Sequence, residues 1–245
     1  MEIQNAEQLE RAVLKWGFLP FFKNEIESFS VEELTPRHLW FSDEGLDGPW
    51  EWKGPVICGG MCAYGKFFNK KAGYVSLDWL PDLMNWRRAR HCALSPDEQY
   101  MLDVLMEHES LLSREWKMLC GYTKSRTPRR SQLEKEMEKE ARAQGWRPYD
   151  GVLTENRRKG FETVATSLQM GLRCIIADFE YLHDRRGRQY GWGIARYTTP
   201  EAMYDMDFGK ALGDRQPPQS LQRMAGHLRS LFPWAEESDV LRILD

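Results

Sequence analysis

Residues 157–199, RRKGFETVATSLQMGLRCIIADFEYLHDRRGRQYGWGIARYTT, decide how the fold is read. Phe161, Val164, Ala165, Leu168 and Leu172 recur at helical spacing, which makes one apolar face and leaves Thr163, Thr166, Ser167 and Gln169 outside. Cys174-Ile175-Ile176-Ala177 then opens a β-rich run. His183-Asp184-Arg185-Arg186-Gly187-Arg188 forms a polar tip, and residues 190–197 return as a second strand. A helix passing directly into a hairpin with a basic tip is the element order of a winged helix. There the helix enters a major groove while the tip touches phosphate or minor groove. An amphipathic helix and hairpin inside some other α+β domain is the plainer alternative. The expected class is α+β, mostly helical, with tandem winged-helix units, each a helix-turn-helix plus a β-hairpin wing.

Upstream, residues 6–16 form an amphipathic helix with Leu9, Ala12, Val13 and Trp16 on one face, stopped by Gly17. Phe18-Leu19-Pro20-Phe21-Phe22 is an apolar plug in which Pro20 prevents helix continuation. Ser30-Val31-Glu32-Glu33 reads as a capping box, and residues 49–55, PWEWKGP, are rigid at both ends through proline. Residues 63–68 and 73–76 read as strands around a turn at 69–72. Ser76 is expected to cap a helix through Trp79, Leu83 and Trp86 that ends in Arg87-Arg88-Ala89-Arg90. Ser95-Pro96-Asp97-Glu98 starts the next helix, Ser113 caps a further one through Trp116, and residues 131–143 form a charged, solvated helix. No internal repeat is visible. Three units follow: 1–92, a helical and hairpin unit read as a degenerate winged helix; 93–205, a winged-helix domain; and 206–245, a tail with two short helices.

The 245 residues suffice for one large core or two smaller ones. A 42% hydrophobic and 12% aromatic content, with ten tryptophans, marks a globular chain. Net charge is −3 and the pI is near 6.0, so DNA contact would have to come from a local basic stripe. No apolar run approaches the ~20 residues of a membrane span, and the N-terminus reads as a charged helix, not a signal peptide. Five dispersed cysteines fit reduced thiols. A cytoplasmic location without membrane contact is expected, and no feature specifies an oligomeric state. Neither metal nor cofactor is expected, because CGGMC at 58–62 and His91-Cys92 lack the tight, repeated spacing of structural zinc sites.

Three groups are candidates for DNA contact. Arg157, Arg158 and Lys159 stand at a helix start, where cations oppose the dipole; phosphate contact accounts for them, as does solvation of the junction. Thr163, Thr166, Ser167 and Gln169 on that helix would face the groove. Arg185, Arg186 and Arg188 surround Gly187 at the tip, shaped for a backbone or a narrow minor groove. Lys66, Lys70 and Lys71 alternate with Tyr64, Phe67, Phe68 and Tyr74, which suits phosphates and stacked bases, although strand aromatics also face cores. The DNA reading requires the helix face and the arginine tip to share one positive surface. For hydrolysis, Glu51 between Trp50 and Trp52 is the candidate catalytic carboxylate, since burial there would raise its pKa into acid–base range. No Ser–His–Asp motif, phosphate-cradling glycine loop or paired-histidine motif occurs.

Three segments together resemble the bacterial winged-helix DNA glycosylases that excise bases from interstrand crosslinks and alkylated DNA, and specifically a shorter glycosylase-related group. WGFLPFF at 16–22 falls where that family has a glycine, two apolar residues and its catalytic pair. AYGKFFNKKAGYVSLDWLPDLMNWRR at 63–88 resembles its aromatic segment, and residues 95–197 resemble its later winged helix. The resemblance implies a DNA partner and base-excision chemistry by a glutamine with a nearby acid or second glutamine. Here that stretch reads Leu19-Pro20-Phe21-Phe22, and Pro20 and Phe22 have no side-chain group to bind or deprotonate water. The family's His-Glu pair appears as Lys70 and Lys71 or their neighbours. No catalytic residue carries over.

The leading expectation is thus a winged-helix DNA-binding protein on a glycosylase-like scaffold without the catalytic pair, recognising damaged DNA. One alternative is an active glycosylase that uses another carboxylate such as Glu51. The other is a protein-interaction module without nucleic acid, in keeping with the net acidity and the Asp47-Gly48-Pro49-Trp50-Glu51-Trp52 loop.

Overall fold

The computed structural model describes residues 1–40, 47–122, 159–187 and 189–245. Arg157, Arg158, Arg188 and the charged helix expected at 131–143 lie outside the described residues. The described chain is α+β.

Helix α1 (Ala6–Trp16) is capped by the Asn5 side chain, which accepts from the Gln8 amide, and ends at Gly17 with φ of 76°. The plug that follows is in part a strand, β1 (Phe18–Pro20), on the edge of a sheet where a residue without an N–H is tolerated. Next come α2 (Val31–Leu34), α3 (Pro49–Cys58), and the hairpin β2 (Cys62–Phe68) and β3 (Lys71–Ser76). The PWEWKGP segment is therefore the front of a helix, with Pro49 in the first turn, where its missing N–H costs nothing. Asn69 and Lys70 turn the hairpin with φ of 48° and 64°, the left-handed pair a two-residue turn demands.

Ser76 does not cap the next helix. It ends β3, its amide donating to Gly17 O, and α4 runs Leu80–Arg90. A start at residue 77 would place Pro81 in the helix interior, where it has no N–H for the i−4 carbonyl.

Helix α5 (Pro96–Glu107) starts at the expected Ser95 N-cap, which Glu98 completes as a capping box. Strand β4 (Ser110–Leu112) follows, then α6 (Ser113–Leu119), whose N-cap is Leu112 and not Ser113. Helix α7 (Phe161–Met170) leads into β5 (Ile175–His183) and β6 (Gln189–Thr198). Leu172 lies beyond the helix end with φ of 52° and is buried on the other side of the sheet. The tail consists of α8 (Pro200–Met203), α9 (Phe208–Leu212), α10 (Pro217–Leu231) and α11 (Glu237–Leu244).

The six strands among the described residues form one antiparallel sheet in the order β1-β3-β2-β5-β6-β4. Among the described α-helices and strands, leaving aside the 3-10 turn Arg37–Leu39, an element order appears twice: α1-β1-α2-α3-β2-β3 and α5-β4-α6-α7-β5-β6. In each case the short strand pairs with the last one, and the two hairpins meet where Tyr64 lies opposite Ile176. The repeat exists in topology without any trace in sequence. The sheet is continuous across residue 92.

Both faces of the sheet are covered, which explains why β2, CAYGKFF, reads as an unbroken apolar run around Lys66. One face packs α1, α3, α5, α6 and α7 on Tyr64, Tyr74, Ile176 and Tyr197. The other packs α4, α10 and α11 on Phe18, Ala63, Phe67, Val75 and Ile175. The tail is fixed by charge as well as by apolar contact. Asp82 of α4 is fully buried and pairs with Arg215 at 3.0 Å and with Arg223. Arg87, also fully buried, donates to carbonyls at the ends of α11 and α7.

Candidate nucleic-acid interface

Helix α7 buries Phe161, Val164, Ala165 and Leu168, so Thr163, Thr166 and Ser167 line its outer surface. Gln169 does not join them. It is fully buried, its Oε1 accepting from the Lys66 amide at 3.0 Å and its Nε2 donating to Ala165 O at 3.0 Å. Its work is to hold α7 against β2, and the helical count misplaced it because position 169 sits at the border of the apolar face.

The outer surface of α7 is the floor of a cleft of about 780 Å³. Lys66, Asn69 and Lys70 rise on the β2–β3 side, Lys159 stands at the α7 start, and Arg90, His91, Arg242 and Asp245 rise at the ends of α4 and α11. Lys66 Nζ donates to Thr166 Oγ1 at 3.2 Å, so strand and helix are joined at the floor. The acids near this cleft are already engaged: Glu162 with Lys117 at 2.7 Å and Asp245 with Arg90 at 3.0 Å. Among the described residues Lys66, Lys70 and Lys159 form no ion pair. Glu98 lies below Ser167. Burial opposes its ionisation, but hydrogen bonds from Ser167 and Ser95, with Lys159 nearby, hold its carboxyl below the ordinary range.

Asn69 and Arg242 form a ridge between this cleft and a smaller hollow of about 280 Å³. The hollow is lined by Pro20, Phe22, Phe68 and Ile243, with Lys23 and Lys71 among its polar residues. Over the two hollows, seven cationic side chains face three carboxylates, and the third, Glu25, pairs with Arg242 at 3.3 Å. A net negative chain thus carries a local positive track.

Arg185 and Arg186 are exposed at the hairpin tip, where Gly187 adopts φ of 75°. They do not share the cleft, so the single positive surface of helix face and arginine tip that the sequence reading required does not form, and a DNA reading has to rest on the cleft and the lysines of the other hairpin. From Ile176, opposite Tyr64, β5 runs toward and past the Cys62 end of β2, whereas Lys66 and Lys70 lie toward its other end. At about 3.3 Å per residue, Arg185 stands roughly 30 Å along the chain from Ile176. Acids Asp178, Glu180 and Asp184 accompany the tip, Glu180 bound to Arg196 at 2.6 Å. Helix α7 is instead served by the turn of the other hairpin.

The strand aromatics are unavailable for stacking on bases: Tyr64, Phe67, Phe68 and Tyr74 are all buried in the two cores. Glu51 is exposed, and its carboxylate accepts from the Gly48 amide at 2.9 Å as part of the α3 start. Burial between Trp50 and Trp52, the condition for its activation, is not met. Lys53, two residues on, is a half-buried cation, with Nζ 4.2 Å from the centre of Phe179 and 5.0 Å from Trp50. Burial, opposed by Glu51, lowers Lys53 to about 8. All five cysteines are free thiols, and no group of three potential metal ligands occurs among the described residues. No helix among them is long and apolar enough to cross a membrane.

A family model described as AlkZ-related matches residues 3–245. The chain belongs to the AlkZ-related family. No curated protein matches it, and no solved structure does. The match agrees at family level with the resemblance to DNA-repair glycosylases drawn from WGFLPFF and the later segments. In this AlkZ-related protein the WGFLPFF residues are packed: Phe21 is fully buried, its ring within 5.2–6.4 Å of Phe22, Trp40, Trp50, Tyr64 and Tyr74. Its Trp86-Arg87-Arg88 run is structural, Arg88 donating to Leu172 O at 2.7 Å and pairing with Glu201. Arg90, His91, Asn69 and Arg242 were missed as site residues. Arg90 could be read only as a cation ending a helix, and Arg242 lies 176 residues from Lys66 in sequence.

Proposed function

We propose that this AlkZ-related protein binds DNA through the basic cleft above α7, as a tandem winged-helix protein on a glycosylase-like scaffold. The repeated order of elements supports the winged-helix reading, with α3 and α7 each standing directly before a hairpin. The observation that carries DNA binding is the α7 floor of Thr163, Thr166 and Ser167 rimmed by Lys66, Lys70 and Lys159, cations without described ion partners. Phosphates would neutralise them and release counterions.

Base-excision chemistry by the family's pair is lost in this reading. At its position stand Pro20, an aromatic-packed Phe21 and Phe22, none with a group to polarise water. The protein would recognise damaged DNA without cleaving it, in the cytoplasm. Anisotropy of labelled DNA across a salt series tests the binding. Changing Lys66, Lys70 and Lys159 together to alanine should flatten the log–log slope by about 2–3, while Arg185→Ala/Arg186→Ala should leave it within error. A slope unchanged by the cleft variant overturns the assignment. Base release from alkylated DNA by the wild-type protein would overturn the loss of chemistry, and Glu51→Gln would then show whether that carboxylate performs it.

A further inference from the structure

Resting on that reading of the cleft, we infer that it takes a single nucleic-acid strand and not the major groove of an intact duplex. The argument is one of relief. A helix that reads a duplex has to stand proud of its surroundings, because the major groove is about 12 Å wide and 8.5 Å deep. Helix α7 is recessed. Its outward residues Thr163, Thr166 and Ser167 are short and lie inside a concave cleft that the longer Lys70, Arg90 and Arg242 also line, and Lys66 reaches across to Thr166 Oγ1 at 3.2 Å. A duplex lowered onto this face would meet the rim with its phosphates before any base edge came within reach of the hydroxyls.

One strand does not have that difficulty. Its backbone can lie along the floor, with phosphates taken by the lysines at the rim and sugar or phosphate oxygens by the threonine and serine hydroxyls. Side chains suited to an unpaired base are at hand: the exposed ring of His91 and the thioether of Met170 line the same cleft. The track also continues over Asn69 and Arg242 into the smaller hollow, where Phe22 and Pro20 give apolar surface beside Lys23 and Lys71. Two adjoining hollows that share Asn69 and Arg242, each lined by cations and by apolar side chains, fit an unpaired strand.

The test compares a labelled 15-mer oligothymidylate with a blunt 15-base-pair duplex on the full-length protein between 50 and 200 mM NaCl. The single strand is expected to bind at least tenfold tighter at equal salt. Its log–log slope should be near −2, about 0.7 for each of three neutralised phosphates. The Lys66→Ala/Lys70→Ala/Lys159→Ala variant should lose at least tenfold on the single strand. Lys70→Glu alone, at an exposed turn, should lose binding in the same direction if the triple variant melts early. Duplex bound as tightly as the single strand, with that binding lost in the variants, overturns this inference and keeps the cleft as the DNA site. Binding of neither probe at 50 mM NaCl overturns both, and single-strand binding indifferent to the variants removes the strand from this cleft.

Discussion

Replacing Arg87 by methionine keeps much of the side-chain length and removes the guanidinium. In the fold its nitrogens donate to Leu244 O at 2.9 Å, Met170 O at 3.1 Å and Ile243 O at 3.2 Å. The first and last close α11 and the second closes α7, so one side chain satisfies end carbonyls of two helices and ties them together. Burial, only partly offset by Asp245, pushes Arg87 down to about 10. Its charge is held at a cost that the carbonyls and helix ends outweigh. Each carbonyl left unpaired costs about 1–3 kcal/mol, and relief of the buried charge returns part of the sum. A net loss of about 3–5 kcal/mol follows, or about 6–20 °C in Tm for a chain of this size. Urea titration read by far-UV circular dichroism gives midpoint and slope. Arg87→Lys should recover little, because one ammonium cannot replace a planar fork. A wild-type midpoint for Arg87→Met, or full rescue by lysine, would refute the reasoning. Since α7 and α11 also bound the basic cleft, Arg87→Met should weaken nucleic-acid binding even at temperatures where it stays folded.

Gly17→Ala should cost about 2–4 kcal/mol, because Gly17 holds φ of 76° and an added Cβ would fall on the Trp79 indole; thermal unfolding checks this. Lys53, lowered from 10.5 to about 8 by burial against the opposing effect of Glu51, binds its proton more weakly folded than unfolded. Wild-type stability should therefore rise relative to Lys53→Met from about pH 8 to 10.5, and a methyl-lysine NMR titration should show a midpoint near 8; one above 10 would exclude it. Ser95→Ala, which breaks the capping box at α5, should cost about 1 kcal/mol. Because hydrogen bonds from Ser167 and Ser95 outweigh burial and keep Glu98 below its usual value of 4.5, its contribution is present above that pH and lost as pH falls through the folded value. The urea midpoints of wild type and Glu98→Gln should accordingly converge in acid.

Local chemistry was legible where local rules govern. Gly17, Ser30 and Ser95 act as their residue types predict at helix ends, and the apolar face of α7 follows from a period of 3.6. What failed was anything decided by a neighbour distant in sequence. Pro49-Trp50-Glu51-Trp52 is helical because Trp52, Val56 and Ile57 pack into the core, which its prolines and glycine do not advertise. Phe18-Leu19-Pro20 becomes a strand because β3 lies beside it. The lysine and aromatic alternation in β2 reads as a binding face only if one side is exposed, and here both sides are covered.

The same distance dependence explains the division of the candidate site. Arg185 and Arg186 follow α7 closely in sequence, yet β5 carries them away from it, while Lys66, 100 residues before Thr166, meets it at 3.2 Å. In an antiparallel sheet whose two hairpins join at Tyr64 and Ile176, each hairpin extends from the seam in the direction opposite to the other. The turn that reaches a helix preceding one hairpin is thus the turn of the other hairpin. Overall acidity is then no obstacle to a polyanion partner. Glu25, Glu162 and Asp245 spend their charge on Arg242, Lys117 and Arg90, while Lys66, Lys70 and Lys159 form no ion pair among the described residues. What a phosphate meets on approach is those three ammonium groups, not the net charge of the chain.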